Sequence, residues 1–549
     1  MARRITVKSL PPAGAPAPMA GGGVEGADRT SRETVKWTPA MGAPDNIINP
    51  VKPLADARGR DMATNDGYAL GAVALHRDSI VGAEYRLNAA PNYRVLGADE
   101  AWAEEFQLVV ESRFHTLAES PACWLDASRR LTLTEIVRMA VGSFVMAGEF
   151  CAAAEWITDS SRPVRTAIQL ISPDRIDNPR GVADSATMRR GVELDRRGRP
   201  IAYHVRVAHP NDLHQMEGRY RWKRVNAETS WGRLQFLHVM EQRFPEQRRG
   251  ISDMTSVLKH MRMTKQFQEI VLQNAVVNAT YAAAIESEMP TEQLVAAMGG
   301  GSEGADNALD WYLGNLAQYL DSSRNIQLDG VKIPHLFPGT KLNLQPAGSP
   351  GGVGADFETS LLRHIAAGLG LSYEEFARDY TKTNYSSARA SMATTWRYMQ
   401  GRKKIVADKV AETLYRLVVE EEIANGNLPL PAGKTRSWFY EPLVKDALCR
   451  ATWIGAARGQ IDEKKETEAA ILRIDSGLTT LESECARLGY DFRDVIAQRA
   501  REKRLLVAAG LWIDPAVSAD RASPGRPSSD QGAADEPDDY DGEEQESEE

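Results

Sequence analysis

Along its middle the chain shows two periods of apolar and polar positions, and the period sorts it into regions. Apolar residues recur at spacings of three and four over 61–76 (DMATNDGYALGAVALH) and over 102–117, which predicts two helices. The stretch 133–156 is mostly apolar and predicts a buried segment. TAIQLISPDRI and RPIAYHVRVAHP carry β-branched residues in short alternation with turn signals between them, the pattern of strands. Up to residue 250 the chain therefore reads as α/β.

After Arg249-Gly250 the pattern changes. ISDMTSVLKHMRMTKQFQEIVLQNAVVNATYAAAIES contains neither Pro nor Gly and predicts one long helix, with Ser252 as its N-cap and Asp253 in the favourable first turn. Ile251, Met254, Leu258 and Met261 form one apolar stripe, which Phe267, Ile270, Val271 and Val277 continue with a phase slip. At 1.5 Å per residue such a helix spans roughly 50 Å, a length suited to packing against other subunits or running along an axis. From Met289 to Pro350 the chain is irregular, with a glycine run at Gly299 to Gly301 and short strand-like pieces, NIQLDG and KIPHLFPGTKLNL. A further helix is predicted over 357–369. Ser386 or Ser387 then caps another long helix carrying Met392, Trp396 and Met399, continuing past Gly401 through Val406, Val410, Leu414 and Leu417. The region from Trp453 to Leu511 reads as helical and strongly charged.

Composition alters this picture mainly at the ends. Residues 1–32 are rich in Ala, Pro and Gly, with too few large apolar side chains to offset the entropy of ordering, and predict a flexible arm. From Ser518 the chain becomes densely acidic (RASPGRPSSDQGAADEPDDYDGEEQESEE), and its mutually repelling charges predict a disordered tail. A length of 549 residues exceeds what one compact core holds, so two to four structural regions are expected. No run approaches about 18 apolar residues and the basic start lacks an apolar stretch behind it, so neither membrane insertion nor secretion is expected. Cys123, Cys151, Cys449 and Cys485 are far apart, with no C-x-x-C spacing, and read as reduced, buried small residues. A net charge of -9 argues against a tight grip on phosphates.

Candidate chemistry is sparse. Gly300-Gly301-Ser302-Glu303-Gly304 spells a nucleophile elbow, but the helical reading of TEQLVAAM before it supplies no strand to raise the serine, and a flexible loop is the better account. There is no phosphate loop of the packaging-ATPase type and no H-E-x-x-H. His204, His209 and His214 lie five residues apart across a strand and loop, which gives no ligand geometry, and DDYDGEE lacks the full spacing of a calcium loop. No catalytic residue, metal or cofactor is expected. Arg397, Arg402, Lys403, Lys404 and Lys409 form a basic cluster whose functional reading is contact with DNA or a neighbouring subunit; a solvated helix face accounts for it more simply.

What remains diagnostic is a set of segments in fixed order: RGRDMATNDGYALGAVALHRDSIVGAEYRLN, GEF at Gly148, IQLISPDRIDNP, GVELDRRGRPIAYHV, HVMEQRFPEQRRGIS, FPGTKLNL, LLRHIAAGLGLSYEEFARDYTKTNYSSARAS and IDEKKETEAAILRIDSGLTTLESECARLGYDFRDV. Together, over Trp37 to Leu511, they resemble the lambda family of phage portal proteins. One departure is the run Asp462-Glu463-Lys464-Lys465-Glu466, where the family commonly has Asp-Pro before Lys-Glu. The resemblance implies a mixed α/β, helix-rich portal fold and a ring, usually of twelve subunits, at one capsid vertex of a virion assembled in the bacterial cytoplasm. It implies a flexible arm (1–35), an α/β wing (36–250), a stem helix (251–288), a small α/β clip (289–352) and a second stem helix (353–371). A tunnel-loop region (372–385), a long wing helix (386–425), a helical wing and crown (426–512) and the acidic tail (513–549) complete the chain. The implied partners are further copies of the chain, double-stranded DNA in the channel, the terminase large subunit, head-completion or adaptor proteins, and the major capsid protein or scaffold, with no membrane. Arg378, Asp379, Tyr380, Thr381, Lys382, Thr383, Asn384 and Tyr385 would approach the channel as the tunnel loop. A capsid or scaffold protein that never touches DNA, and a serine hydrolase, are the alternatives.

Overall fold

The computed structural model describes residues 31–39, 41–281, 314, 326–328, 331–333, 353–381, 383–459 and 463–512. Most of the expected arm, nearly all of the expected clip, residues 282–288 of the long helix, Ser302, Lys382 and the acidic tail lie outside them. The described part is mixed helix and antiparallel sheet, in two compact units, 1–461 and 462–549.

Helix α1 (Pro44–Asn65) starts on a proline whose missing N–H is harmless at that position. It also contains Pro50 and Pro53, residues that ordinarily end a helix, which is why the sequence pattern does not announce it. Helix α2 (Gly67–Ile80) begins at once after it. Asp66 separates the two, its carboxylate accepting from the Ala69 N–H at 2.8 Å, so the single helix expected over 61–76 is the junction of two. After strand β1 (Arg86–Ala89), Asp99 caps helix α3 (Glu100–Ala118). Thr132 and Glu135 form a capping box at helix α4 (Leu133–Ala147), which leads through Gly148 into strand β2 (Glu149–Trp156). The apolar run 133–156 is thus a helix and then a strand.

Strands β3 (Thr166–Ile171), β4 (Met188–Arg189), β5 (Val192–Leu194), β6 (Pro200–Arg206), β7 (Trp222–Asn226) and β8 (Phe236–Met240) complete the first half. They form two antiparallel sheets, ordered β3-β2-β8 and β4-β5-β6-β7. β2 is covered on both sides: Phe150 and Ala152 join the main core, whereas Cys151 and Ala153 join a second cluster with Ile176, Val192, Tyr203 and Phe236. That double burial explains its continuous apolar sequence.

Ser252 caps a single 3-10 turn (Asp253–Ser256), and helix α5 (Leu258–Tyr281) begins only after it, five residues later than a cap at Ser252 suggests. The short antiparallel pair β9 (Ile326–Leu328) and β10 (Val331–Ile333) precedes helix α6 (Val353–Gly368). Helix α7 (Tyr373–Ala377) and helix α8 (Tyr385–Arg402) come next; a π turn (Lys403–Ala407) joins α8 to helix α9 (Asp408–Asn425). Val410, Leu414, Tyr415 and Val418 carry α9 into the main core beside Ile136, Val137 and Phe144 of α4. Strand β11 (Ala451–Ile454) pairs antiparallel with β1, so Trp453, expected in a helical region, lies in a strand and stacks on Tyr85. The four cysteines are free and buried.

The second unit holds helices α10 (Glu463–Asp475), α11 (Leu481–Arg487) and α12 (Phe492–Ala508). Arg473 and Arg487 both pair with Glu484, which with Cys485 is buried.

Candidate nucleic-acid interface

The segment expected to approach a channel is a short linker hung between two anchored helices. At its upstream end, Leu369 is fully buried and its carbonyl meets His76 Nε2 of α2 at 3.1 Å, which requires the proton on Nε2. Burial holds His76 neutral, its pKa lowered to about 4. Gly370 takes φ +70°, and a methyl group there would run into the Tyr398 ring, so only glycine reverses the chain at this point. Ser372 then caps α7, and Phe376 of α7 is buried against Tyr68 of α2, the rings 5.5 Å apart. Arg378 ends α7 in the left-handed region at φ 53°.

Beyond Arg378 the linker is organised by its own side chains. Asp379 Oδ1 accepts from the Thr381 N–H at 3.1 Å and the Thr381 hydroxyl at 2.6 Å, while Oδ2 accepts from Tyr373 at 3.1 Å. The Thr383 N–H donates to the Tyr380 carbonyl at 3.2 Å. Asn384 is the N-cap of α8: its side chain accepts from Ser387 N–H, and Ser387 Oγ accepts from Asn384 N–H. The cap falls on Asn384, not on Ser386 or Ser387, because Asn-x-x-Ser supplies both halves of a capping box. Arg378, Tyr380, Thr381 and Asn384 are exposed. Burial and the carboxylates of Glu375 and Glu374 raise the Tyr380 phenol, so it stays a neutral donor at any physiological pH. The linker thus offers hydroxyls, one amide and one guanidinium, with carboxylates close by. The anchors His76, Tyr68, Gly370 and Tyr398 were not singled out from sequence; the glycine between two leucines at the end of a helical pattern is the one signal that marked the reversal.

The other candidates resolve differently. Arg402 is only 12% exposed; it pairs with Glu241 at 2.7 Å and Asp253 at 3.1 Å and lies over the rings of Phe144 and Tyr398. Lys403 pairs with Asp408 at 2.8 Å and donates to the Trp453 carbonyl at 2.7 Å. These two cations pack around the π turn, whereas Arg397, Lys404 and Lys409 of the same cluster are exposed, as a solvated helix face requires. His204 meets Glu193 at 3.3 Å and His209 meets Asp174 at 3.2 Å, each with its own acid. Glu149, Cys151 and His238 bring three potential metal ligands within 4.8 Å. The Glu149 carboxylate is already taken by cations and burial pushes the Cys151 thiol well up, so the group has no free anionic donor for a metal.

The sequence profile of the family "Phage portal protein, lambda family" matches residues 30–403. The portal protein of Escherichia phage N15 and portal protein B of Escherichia phage lambda are each 38% identical over 477 residues, covering 86% of this chain and 88% of each relative. This chain belongs to the lambda family of phage portal proteins. The probable portal protein of Halomonas phage phiHAP-1 is 22% identical over 88% of the portal chain and 86% of its own length. Among solved structures, the virion of a native gene transfer agent particle gives a TM-score of 0.40 at 12% identity, covering 83% of this chain and 96% of that one. The neck of the native particle computed with C12 symmetry gives 0.36 at 13% identity, covering 82% and 95%.

Two segments that carried the resemblance, GEF and RRGIS, meet in the portal chain at one buried point. The backbones cross so closely at Gly148 and Gly250 that a methyl on either would run into the other strand. Glu149, wholly buried beside the crossing, accepts from Arg249 Nη2 at 2.6 Å, His238 Nε2 at 3.0 Å and Gly250 N–H at 2.8 Å, with Lys52 Nζ at 3.3 Å. Burial alone would raise this carboxyl; Arg249, Lys52 and His238 outweigh burial and hold it well below the usual carboxylate range. Arg249 spends its remaining donors on the Ile176, Arg190 and Pro173 carbonyls. Lys52 bonds the Ala147 and Gly250 carbonyls, both at 2.8 Å, and pairs with Asp56. The node ties α1, the end of α4, the sheet and the approach to α5 together.

Proposed function

We propose that copies of this chain close into a ring, usually twelve, at one capsid vertex of a virion, and that double-stranded DNA passes through the ring during packaging and ejection. The observation that carries this reading is the 38% identity to two portal proteins over most of both chains. In this reading α5 and α6 are the stem helices, residues 289–352 the clip, residues 36–250 the wing, and residues 426–512 the helical wing and crown. The terminase large subunit docks during packaging and head-completion proteins dock afterwards; the surrounding capsid or scaffold protein holds the ring. Assembly takes place in the host cytoplasm.

Residues 378–385 face the channel. A conduit must let DNA slide, so each contact must be shallow and indifferent to sequence. Hydroxyls of Thr381 and Thr383, the Asn384 amide and single cations at Arg378 and Lys382 meet phosphate oxygens without reading bases. The acidic balance of the chain, -9 overall, keeps such wells shallow.

A photo-cross-linking amino acid placed at Thr381, illuminated in DNA-filled particles, tests this placement. Covalent protein–DNA product is expected at Thr381 and not at Leu213, an exposed wing position. Equal yields at both positions, or none at Thr381, would remove these residues from the channel.

A further inference from the structure

The clustered cations Arg402 and Lys403 are absorbed by carboxylates, but those at the end of α12 are not. Arg499, Arg501, Lys503 and Arg504 are all exposed, and none pairs with a carboxylate among the described residues. The one acid inside the run, Glu502, accepts from Gln498 at 2.8 Å. Arg501 donates to the same glutamine and Arg504 to the Ala500 carbonyl, so the two guanidiniums meet only neutral acceptors. Arg499 and Lys503, four residues apart, share one face of this helix, and Arg501 and Arg504, three apart, share the roughly opposite one, so each face offers a pair of cations within about 6 Å along the axis, a spacing that can meet neighbouring phosphates of a duplex.

The chain's own course supplies the second observation. α12 ends in a reversal: Gly510 takes φ +69°, its N–H bonds the Val507 carbonyl, and Leu511 N–H bonds the Leu506 carbonyl at 2.8 Å. Trp512 then lies back against the helix, its ring 5.0 Å from Lys503 Nζ. The last described residue therefore leaves the chain beside the basic turn. The remaining residues, 513–549, include thirteen acidic side chains against two arginines.

We infer that the basic end of α12 is a surface for the phosphate backbone of double-stranded DNA, and that the acidic segment 513–549 of the same chain competes for it. Tethering gives the segment an effective concentration in the millimolar range at that surface. A weak contact therefore suffices to hold off stray nucleic acid, while DNA packed at high local concentration displaces it. This goes beyond the channel reading, and residues 378–385 have no part in it.

The test uses the full chain and a fluorescent duplex followed by anisotropy. In the first variant the tail is neutralised by Asp535→Asn, Glu536→Gln, Asp538→Asn, Asp539→Asn, Asp541→Asn, Glu543→Gln and Glu544→Gln. The second adds Arg499→Gln, Arg501→Gln, Lys503→Gln and Arg504→Gln. The first is expected to bind at least about tenfold more tightly than the unaltered chain at low salt and to weaken on the order of a hundredfold between about 50 and 200 mM salt. The second is expected to lose that gain while keeping its helical circular dichroism. Unchanged affinity in the first variant, or a gain that survives in the second, overturns the inference. A free peptide of residues 513–549 must also displace duplex from the first variant. That measurement decides alone if the second variant loses helix, and a peptide that displaces nothing overturns the competition.

Discussion

At the scale of single residues, the sharpest consequences come from charges taken out of water. Arg249 and Glu149 are each at most 1% exposed, and every donor and acceptor between them is used. Arg249→Met leaves an anion buried with less compensation, and a loss of about 3–5 kcal/mol is expected, read as a lower urea or thermal midpoint. Leu213→Ala, on the exposed wing surface, should leave the midpoint unchanged. His76 gives a pH signature. Its folded pKa of about 4 lies below the ordinary 6.5, so the unfolded chain takes up the proton first. The stability due to a neutral His76 is present above 6.5 and is lost as pH falls toward 4, by up to about 3 kcal/mol. Asp56 works in the opposite sense: burial, opposed by Lys52, pushes it up to about 6, so its contribution is lost as pH rises through that value. The difference between the unaltered chain and His76→Gln isolates the histidine; the variant's midpoint should fall less between pH 6.5 and 4. Neither buried group was legible in the sequence, because nothing in a linear pattern says which histidine or aspartate will be covered on all sides.

At the scale of elements, periodicity identified what packing enforces and missed what local chemistry decides. The helices α3, α5 and α8 and the strands β3 and β6 were visible because each presents apolar residues at the period of its own geometry. α1 was not, because Pro50 and Pro53 broke the expected rule while Lys52, between them, anchors the helix through buried bonds. The break at Asp66 and the start of α8 at Asn384 turn on single capping side chains, and several residues nearby had equal claim. Asn384→Ala should cost the start of α8 about 1 kcal/mol, seen as roughly fivefold faster amide hydrogen exchange over its first turn with the rest of α8 unchanged. The composition of the candidate interface was legible as polar and weakly cationic. Its shape was not, since the turn depends on Asp379 folding back onto Thr381 and on Tyr398 filling the space beside Gly370.

At the scale of the whole molecule, family membership and surface charge bear on one question: how the chain treats DNA. An acidic protein with a short polar linker suits a passage that must not grip. Lys382→Ala should therefore reduce packaging or retention of DNA while ring formation stays intact; loss of rings would make the segment structural instead. Passage of DNA through the chain's assembly requires that its copies close into a ring. Negative-stain imaging of the purified full-length protein, with its mass measured on the same sample, tests that most directly. Rings with a central channel and a mass of many subunits, twelve in the usual case, are predicted; a compact monomer persisting at high concentration would contradict the account.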